Sequence, residues 1–399
     1  MAGNAYALRG LPNWYDVDDA WNTSFPFGWE EGEGFRGHVF LSSDNNTIVL
    51  SIKGTTVQGP TSRLDKYNDN LLFSCCCARH AWVMRTVCDC FGSGWKCDDR
   101  CLSDALIQDS LFYSVGTKLI DDLIHIYPNA NLWLVGHSLG GALASLLGAT
   151  YGLPAIAFES PGERLAAQRL HLPMPPTEVP PPEEESISPA LRSVLHRLPI
   201  LEMFLGNPRV PRAPPPPPPH AASITHVYHT ADPIPFGTCN GPYSICATGG
   251  YALETKCHLG KSIILDTVNR MKWLVDVRKH VIKQVVQLLD MPEEGEDGVD
   301  WGEEGGGDDD DDDDEPDPCK GGDWCLQQRV LSTLRGWDSV VPGGWGPGRG
   351  KKNKKKKGGD GDEKKPISNR VPKPIIESDC VDCFRWEFGS YKDELKAQS

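Results

Sequence analysis

The feature that most constrains the fold is a short apolar run followed at once by a glycine-rich turn and a segment of small residues. Leu132 to Val135 forms the apolar run, Gly136 to Gly140 the turn, and Leu139 to Ala149 is rich in Gly and Ala. The apolar run predicts a buried strand, and the small residues predict a helix that packs closely against it. This order of elements is typical of a chain that builds a mostly parallel sheet.

The turn itself reads Gly136-His137-Ser138-Leu139-Gly140. It matches the G-x-S-x-G nucleophile elbow, in which a sharp strand-to-helix turn exposes the serine hydroxyl at the edge of the sheet. The following helix directs the partial positive charge of its N-terminus at the hydroxyl. The motif in this setting predicts an α/β-hydrolase fold with Ser138 as nucleophile. The alternative is an ordinary glycine-rich turn.

Further strands and helices are expected on both sides of the elbow. The residue patterns predict strands over Thr47–Ile52, Ala155–Phe158 and Ile224–Thr230, and helices over Ala105–Tyr127, Lys261–Trp273 and His280–Leu289. The alternation of strands and helices indicates an α/β fold with a mostly parallel central sheet.

Two low-complexity segments divide the chain. Nearly half of the 33 prolines lie between Pro173 and Pro219, and long runs of Asp and Lys follow Pro292. Such compositions favour disorder over packed structure. We therefore predict one catalytic domain formed by residues 1–173 and 223–291, a disordered Pro-rich insertion over 174–222, and a charged low-complexity tail over 292–399.

The cysteines and the charge narrow the class of protein. The chain has 14 cysteines and the glycosylation sequons at Asn22 and Asn45, which favour a secretory origin with disulfides over zinc sites. Seven of the cysteines lie between Cys75 and Cys101, where we predict a disulfide-stapled lid with at least one cysteine paired elsewhere.

The net charge of −15 excludes general nucleic-acid binding. The sequence contains no uninterrupted run of about 18 apolar residues, which a membrane-spanning helix would need. Residues Met1–Gly10 contain no apolar run of signal-peptide length.

The remaining catalytic groups follow from chain order. In this fold the acid and then the histidine come after the serine. Asp232 follows a late strand and is preferred as the acid over Asp266 and Asp276, and His280 is preferred as the base over His258. The backbone N–H of Leu139 and the loop residue Thr55 are the expected oxyanion donors. This chemistry requires no metal or cofactor.

Several segments resemble the fungal class 3 lipases, in particular the vacuolar lipases that break down autophagic bodies. They are residues 21–29, Ser51–Thr55, the elbow through Leu147, Phe158–Glu163 and His226–Pro233. The resemblance implies a lipase acting on phospholipids and triacylglycerol at membrane surfaces. It also implies a single-pass membrane glycoprotein that travels through the endoplasmic reticulum and multivesicular bodies to the vacuole lumen. It supports His280, because those lipases place the base just before the last helix.

Two alternatives to a lipase remain open at this stage. The chain could be a serine hydrolase of soluble aryl esters or thioesters, or an inactive lipid-binding relative. The oligomeric state is left open.

Overall fold

The computed structural model describes residues 1–21, 23–30, 34–56, 59–79, 86–174, 224–290 and 371–391. The strands are β1 Thr23–Phe27, β2 Gly37–Leu41, β3 Thr47–Ile52, β4 Lys96–Asp98, β5 Asn131–His137, β6 Ala155–Phe158, β7 Ile224–His229, β8 Lys261–Leu265, β9 Ile375–Ile376 and β10 Glu387–Gly389. The α-helices are α1 Ser62–Phe73, α2 Asp99–Asp109, α3 Leu111–Ile126, α4 Leu139–Tyr151, α5 Arg164–Arg169, α6 Ile245–Thr248, α7 Thr267–Met271 and α8 Ile282–Leu289. Short 3-10 helices cover Ala2–Tyr6, Asp19–Trp21 and Val277–Lys279.

One large sheet organises the fold, with strand order β1-β2-β3-β5-β6-β7-β8-β9. The five strands from β3 to β8 in this order pair in parallel, whereas β1, β2 and β9 are antiparallel to their neighbours. Parallel strands end at the same edge of a sheet, so their following loops gather there. The mostly parallel sheet of an α/β-hydrolase is confirmed.

Buried apolar residues that lie opposite one another in the register form one face of the parallel strands. Leu50 of β3, Leu134 of β5 and Ile224 of β7 are fully buried. Helix α4 is buried along almost its whole length, which explains why its sequence consists of small and apolar residues. The predicted helix over Ala105–Tyr127 is present as two helices, α2 and α3, that are separated at Ser110.

The predicted helix over Lys261–Trp273 is wrong in its first half. Lys261–Leu265 forms strand β8, which pairs in parallel with β7, and only Thr267–Met271 is helical. Two consecutive isoleucines favour extended structure beside an open strand edge. Asp266 then caps α7, because its carboxylate accepts a hydrogen bond from the Asn269 N–H at 3.1 Å.

The cysteines between Cys75 and Cys101 form disulfides, as predicted. Three bonds lie within the segment, and Cys75 pairs outside it with Cys383: the bonds are Cys76–Cys97, Cys77–Cys88, Cys90–Cys101 and Cys75–Cys383. Sulfurs bonded in this way are not available as zinc thiolates. That this segment covers the active site stays a prediction, since residues 80–85 lie outside the described part of the chain.

The prediction of a low-complexity tail over 292–399 is wrong for residues 371–391. Strand β9 extends the large sheet beside β8, and β10 pairs with β4. Disulfides Cys75–Cys383 and Cys257–Cys380 join this segment to the domain. Cross-links reduce the entropy that ordering costs, and Trp386 and Phe388 pack against the buried cluster around Cys97, so this short segment can dock. The rest of the predicted tail lies outside the described residues.

The predicted Pro-rich insertion over 174–222 also lies outside the described residues, apart from Met174. Its flanking strands β6 and β7 are direct neighbours in the sheet, with Ala155 opposite Ile224. In the ranges that the structure describes, no helix has both the length and the apolar character needed to cross a membrane.

Candidate active site

Ser138 occupies the sharp turn between β5 and α4. Its backbone adopts φ 58° and ψ −133°, a conformation that is strained for any residue with a side chain. The two glycines of the motif permit this turn. A Cβ on Gly136 would lie 2.1 Å from the Gly140 oxygen, and a Cβ on Gly140 would lie 2.3 Å from the Ile52 oxygen. The local sequence therefore fixes the serine hydroxyl at the carboxyl edge of the sheet.

Ser138, His280 and Asp232 meet in a chain of hydrogen bonds. The Ser138 Oγ lies 2.8 Å from His280 Nε2, and His280 Nδ1 lies 2.5 Å from Asp232 Oδ2. Asp232 follows β7, and His280 precedes α8, so all three residues come from loops at the same sheet edge. The second oxygen of Asp232 accepts a hydrogen bond from the Ile234 N–H at 3.0 Å.

The charges of this group favour one proton arrangement. Burial alone would raise the pKa of the Asp232 carboxyl, but His280 and its hydrogen bond hold that pKa below its usual range. An ionised Asp232 accepts a hydrogen bond from the Nδ1–H of His280, which leaves Nε2 free to accept the proton of the serine hydroxyl. The arrangement can therefore make Ser138 nucleophilic.

A second histidine packs against this base. The His137 ring lies 4.9 Å from the His280 ring, and its Nδ1 is 2.7 Å from the Tyr6 hydroxyl. Burial lowers the pKa of His137 well below its usual range, and the nearby His280 acts in the same direction. His137 is thus a neutral neighbour of the base. Tyr6 was not singled out from the sequence, because nothing near the N-terminus indicates contact with the elbow.

The rival residues have other partners. Asp266 caps α7, Asp276 pairs with Arg278 at 2.5 Å, and the His258 Nδ1 lies 3.0 Å from Glu377 Oε1. His226 and His229 are fully buried on β7. The Nε2 atom of His226 lies 3.0 Å from Glu163 Oε1.

The two predicted oxyanion donors lie beside the nucleophile. Leu139 is the first residue of α4, where backbone N–H groups have no partner within the helix. Thr55 follows β3, which neighbours β5. The preceding Gly54 has no room for a side chain, because a Cβ there would lie 2.9 Å from the Ser138 Cβ. The Thr55 hydroxyl donates to Asp69 Oδ2 at 2.6 Å, so Asp69 orients this side chain. Burial raises the pKa of Asp69 to about 8.

Sequence reasoning also missed Glu159, which lies directly after β6. Its carboxyl group, Asp232 and His280 each place a polar atom within 4.8 Å of the others. Its position at the end of a strand, at the same edge as Ser138, was a usable signal. Glu377 had no such signal, because it lies within a stretch expected to be disordered.

Two groups of potential metal ligands occur here, Glu159 with Asp232 and His280, and Glu163 with His226 and His258. Both groups are bonded internally, the first through the short His280–Asp232 contact and the second through the His226–Glu163 contact. Of the two predicted glycosylation sites, Asn45 is exposed in the turn between β2 and β3 with φ 58°, and Asn22 lies outside the described residues.

Comparisons with known proteins point to one family. The family described as "Lipase (class 3)" matches residues 49–153. A protein of Cryptococcus neoformans var. neoformans serotype D (strain B-3501A) named "Putative lipase ATG15" is 43% identical over 406 residues, which cover 98% of this chain and 66% of that protein. The protein of that name from Saccharomyces cerevisiae (strain ATCC 204508 / S288c) is 43% identical over 296 residues, 72% of this chain and 49% of its own length.

The chain thus spans between about half and two thirds of the length of these relatives. Among solved structures, the Lip2 lipase from Yarrowia lipolytica matches with 19% identity and a TM-score of 0.25. That match covers 58% of this chain and 61% of the other.

Proposed function

Because the chain belongs to the class 3 lipase family, we propose that it hydrolyses the acyl esters of membrane phospholipids and triacylglycerol with Ser138 as nucleophile. The observation that carries this proposal is the relay from Ser138 Oγ to His280 Nε2 at 2.8 Å and from His280 Nδ1 to Asp232. Side chains in this order are what covalent ester hydrolysis needs.

The proposed reaction has two halves. His280 takes the proton of Ser138 while the serine oxygen attacks the acyl carbonyl. The tetrahedral oxyanion is stabilised by the Leu139 N–H and by Thr55. The alcohol then leaves with the proton from His280. A water molecule next gives a proton to His280 and attacks the acyl carbonyl of the acyl-enzyme. His280 returns this proton to the Ser138 oxygen as the bond to the acyl group breaks and the fatty acid leaves. Asp232 stabilises the imidazolium formed in each half.

For the cellular role, we infer that the protein breaks down autophagic bodies and intravacuolar vesicles. We infer that it reaches the vacuole lumen through the endoplasmic reticulum and multivesicular bodies. Support comes from the relatives named "Putative lipase ATG15". The disulfides fit an oxidising compartment, and the exposed Asn45 fits glycosylation on the way.

The experiment uses Ser138→Ala in the full chain. We expect the wild type to release fatty acid from phosphatidylcholine vesicles and emulsified triacylglycerol, and the variant to lose this activity with its fold intact. A fluorophosphonate probe should label the wild type and not the variant. Activity confined to soluble aryl esters or thioesters would favour the first alternative. An unlabelled wild type that still binds lipid would favour an inactive relative.

A further inference from the structure

A long uncharged segment begins at the edge of the sheet that carries the candidate site. From Pro233 to Leu253 the chain contains no Asp, Glu, Lys, Arg or His, although 24% of the whole chain is Asp, Glu, Lys or Arg and its net charge is −15. The absence of charge over such a stretch, part of it exposed, indicates a surface that meets something other than water.

Both ends of this segment lie at the candidate site. It begins directly after Asp232 and ends beside α1, where the Ala252 N–H donates to Asn70 Oδ1 at 2.7 Å. Asn70 is the neighbour of Asp69, which accepts the hydrogen bond of Thr55. The segment therefore runs from the acid to helix α1, whose Asp69 orients the predicted oxyanion donor.

The middle of the segment is a closed loop with two exposed apolar side chains. The disulfide Cys239–Cys246 closes the loop, and both cysteines are buried. Between them, Tyr243 is 94% exposed and Ile245 is 65% exposed. Ser244 holds the loop in shape, because its hydroxyl donates to the Cys239 oxygen at 3.1 Å and accepts from the Ala247 N–H at 3.1 Å. A preformed loop loses little conformational entropy when it binds.

We propose that the Cys239–Cys246 loop is a lipid-docking finger: Tyr243 and Ile245 insert into a lipid surface and bring the edge bearing Ser138 against it. The inference rests on the proposed function, since that function requires a substrate held in a lipid surface. Transfer of an isoleucine side chain out of water is favourable, and tyrosine concentrates at lipid–water boundaries.

The charge distribution of the chain favours an uncharged lipid surface as the binding partner of this loop. A chain of net charge −15 is repelled by acidic surfaces, whereas an uncharged loop avoids the cost of removing ions from water. The docking should therefore be apolar and nearly independent of salt, unlike the electrostatic attachment of basic proteins.

The fold offers a matched control at the opposite edge of the sheet. Ile126 ends α3 just before the amino-terminal end of β5 and is 61% exposed. Ser138 follows the carboxyl-terminal end of that same strand. Ile126 and Ile245 are thus the same residue type with similar exposure, and Ile126 lies at the edge opposite Ser138.

The test measures partitioning of the full chain onto phosphatidylcholine vesicles by flotation, in the Ser138→Ala background so that the vesicles stay intact. We expect Tyr243→Ser with Ile245→Ser to weaken partitioning about 10- to 100-fold, the range set by the transfer of one or two large side chains. Ile126→Ser should partition like its parent, and salt should have little effect.

The same substitutions in the active chain are assayed on soluble p-nitrophenyl butyrate, which reports whether each variant folds.

Unchanged partitioning of the double variant would overturn the proposal. An equal loss with Ile126→Ser would also overturn it, because the effect would then be general. If the double variant fails to fold, Tyr243→Ser alone repeats the test. Absence of hydrolysis by the active wild type would contradict the proposed function instead, because partitioning is measured without hydrolysis.

Discussion

Glu159 and Asp232 place two fully buried carboxyl groups close to each other and to the imidazole of His280, with polar atoms of all three residues within 4.8 Å. Two buried carboxylates this close cannot both remain ionised at neutral pH. Asp232 is the ionised member of the pair, because its carboxylate accepts hydrogen bonds from His280 and from the Ile234 N–H. Glu159 therefore carries the proton.

The other groups around Glu159 do not remove this proton. The His229 N–H donates to its Oε1 at 3.1 Å, and the His229 ring lies 3.6 Å away with a pKa that burial lowers. Tyr228 is neutral, because burial and then Glu377 raise its pKa. Burial raises the pKa of Glu159 well above its usual value, and the charge of Asp232 adds to this effect.

We predict that Glu159→Gln makes the stability of the protein less dependent on pH. An acid with a raised pKa in the folded state binds a proton that the unfolded state has released. Stability of the wild type should therefore fall as the pH rises above 4.5, by about 1.4 kcal/mol per pH unit, until the pKa of the folded state is reached. Glutamine is neutral and similar in shape, so activity should stay of the same order.

Urea unfolding at several pH values, from about pH 4 upward, measures this slope in both proteins. Asp109→Asn, at an exposed carboxyl group, is the control and should leave the wild-type slope unchanged. Equal slopes for the wild type and Glu159→Gln would show that Glu159 is ionised in the folded protein.

Residue patterns predicted the elements whose signal lies within a short stretch of sequence. The strands at Thr47–Ile52 and Ala155–Phe158 and the elbow carry their own signals in composition and spacing. Strand β8 was mistaken for helix because its run of apolar residues is short, and only the neighbouring β7 decides its conformation. Docking of residues 371–391 depends on disulfides across separations of 123 and 308 residues, and pairing over such distances has no local signature.

The same distinction applies to the candidate site. Ser138, Asp232 and His280 could be proposed from a motif, the chain order and a resemblance. Glu159 and Tyr6 act through contacts that exist only once distant segments have packed. Glu159 had a signal in its position at the end of a strand, whereas the sequence around Tyr6 had none.

A second pH effect should come from the buried pair that docks the C-terminal segment. His258 and Glu377 form a contact of 3.0 Å, and Glu377 also accepts hydrogen bonds from Tyr228 and Ser262. Burial alone would lower the pKa of His258, but the carboxylate of Glu377 raises it to about 9. The contribution to stability is therefore complete below pH 6.5 and is lost as the pH rises towards 9.

We predict that the wild type loses about 3 kcal/mol of stability from this pair between those pH values, and that Glu377→Gln largely removes this dependence. The measurement is the free energy of unfolding in urea from pH 6 to about pH 9.5. Lys96 pairs with Glu387 on the surface, so Glu387→Gln is a control that should keep the wild-type profile. A profile for Glu377→Gln that falls as steeply as the wild type would contradict the role of the pair.

The disulfide pattern gives a prediction that can be tested without an enzyme assay. Peptide mapping of protein from an oxidising compartment, without reduction, should find the C-terminal segment linked at two places, Cys75 to Cys383 and Cys257 to Cys380. Reduction should release it. Free thiols at Cys380 and Cys383 in such protein would contradict the docked arrangement.

Two histidines satisfy the chain order, and their contacts distinguish them. His280 contacts both Ser138 and Asp232, whereas His258 contacts Glu377 and the Ser160 carbonyl. We expect His280→Ala to slow acylation by an ester substrate about 10³-fold or more, since loss of the base disables the whole triad. His258→Ala should affect stability instead, because it leaves the Glu377 carboxylate buried without its cation. His258→Gln keeps a hydrogen-bonding side chain, so it is the better-folded comparison if the alanine variant does not fold. Acylation rates from stopped-flow assays, with the unfolding midpoint of each variant, separate the two effects. If a folded His258 variant is inactive while His280→Ala keeps a near-normal rate, the assignment of the base is wrong, although Ser138 would still be the nucleophile.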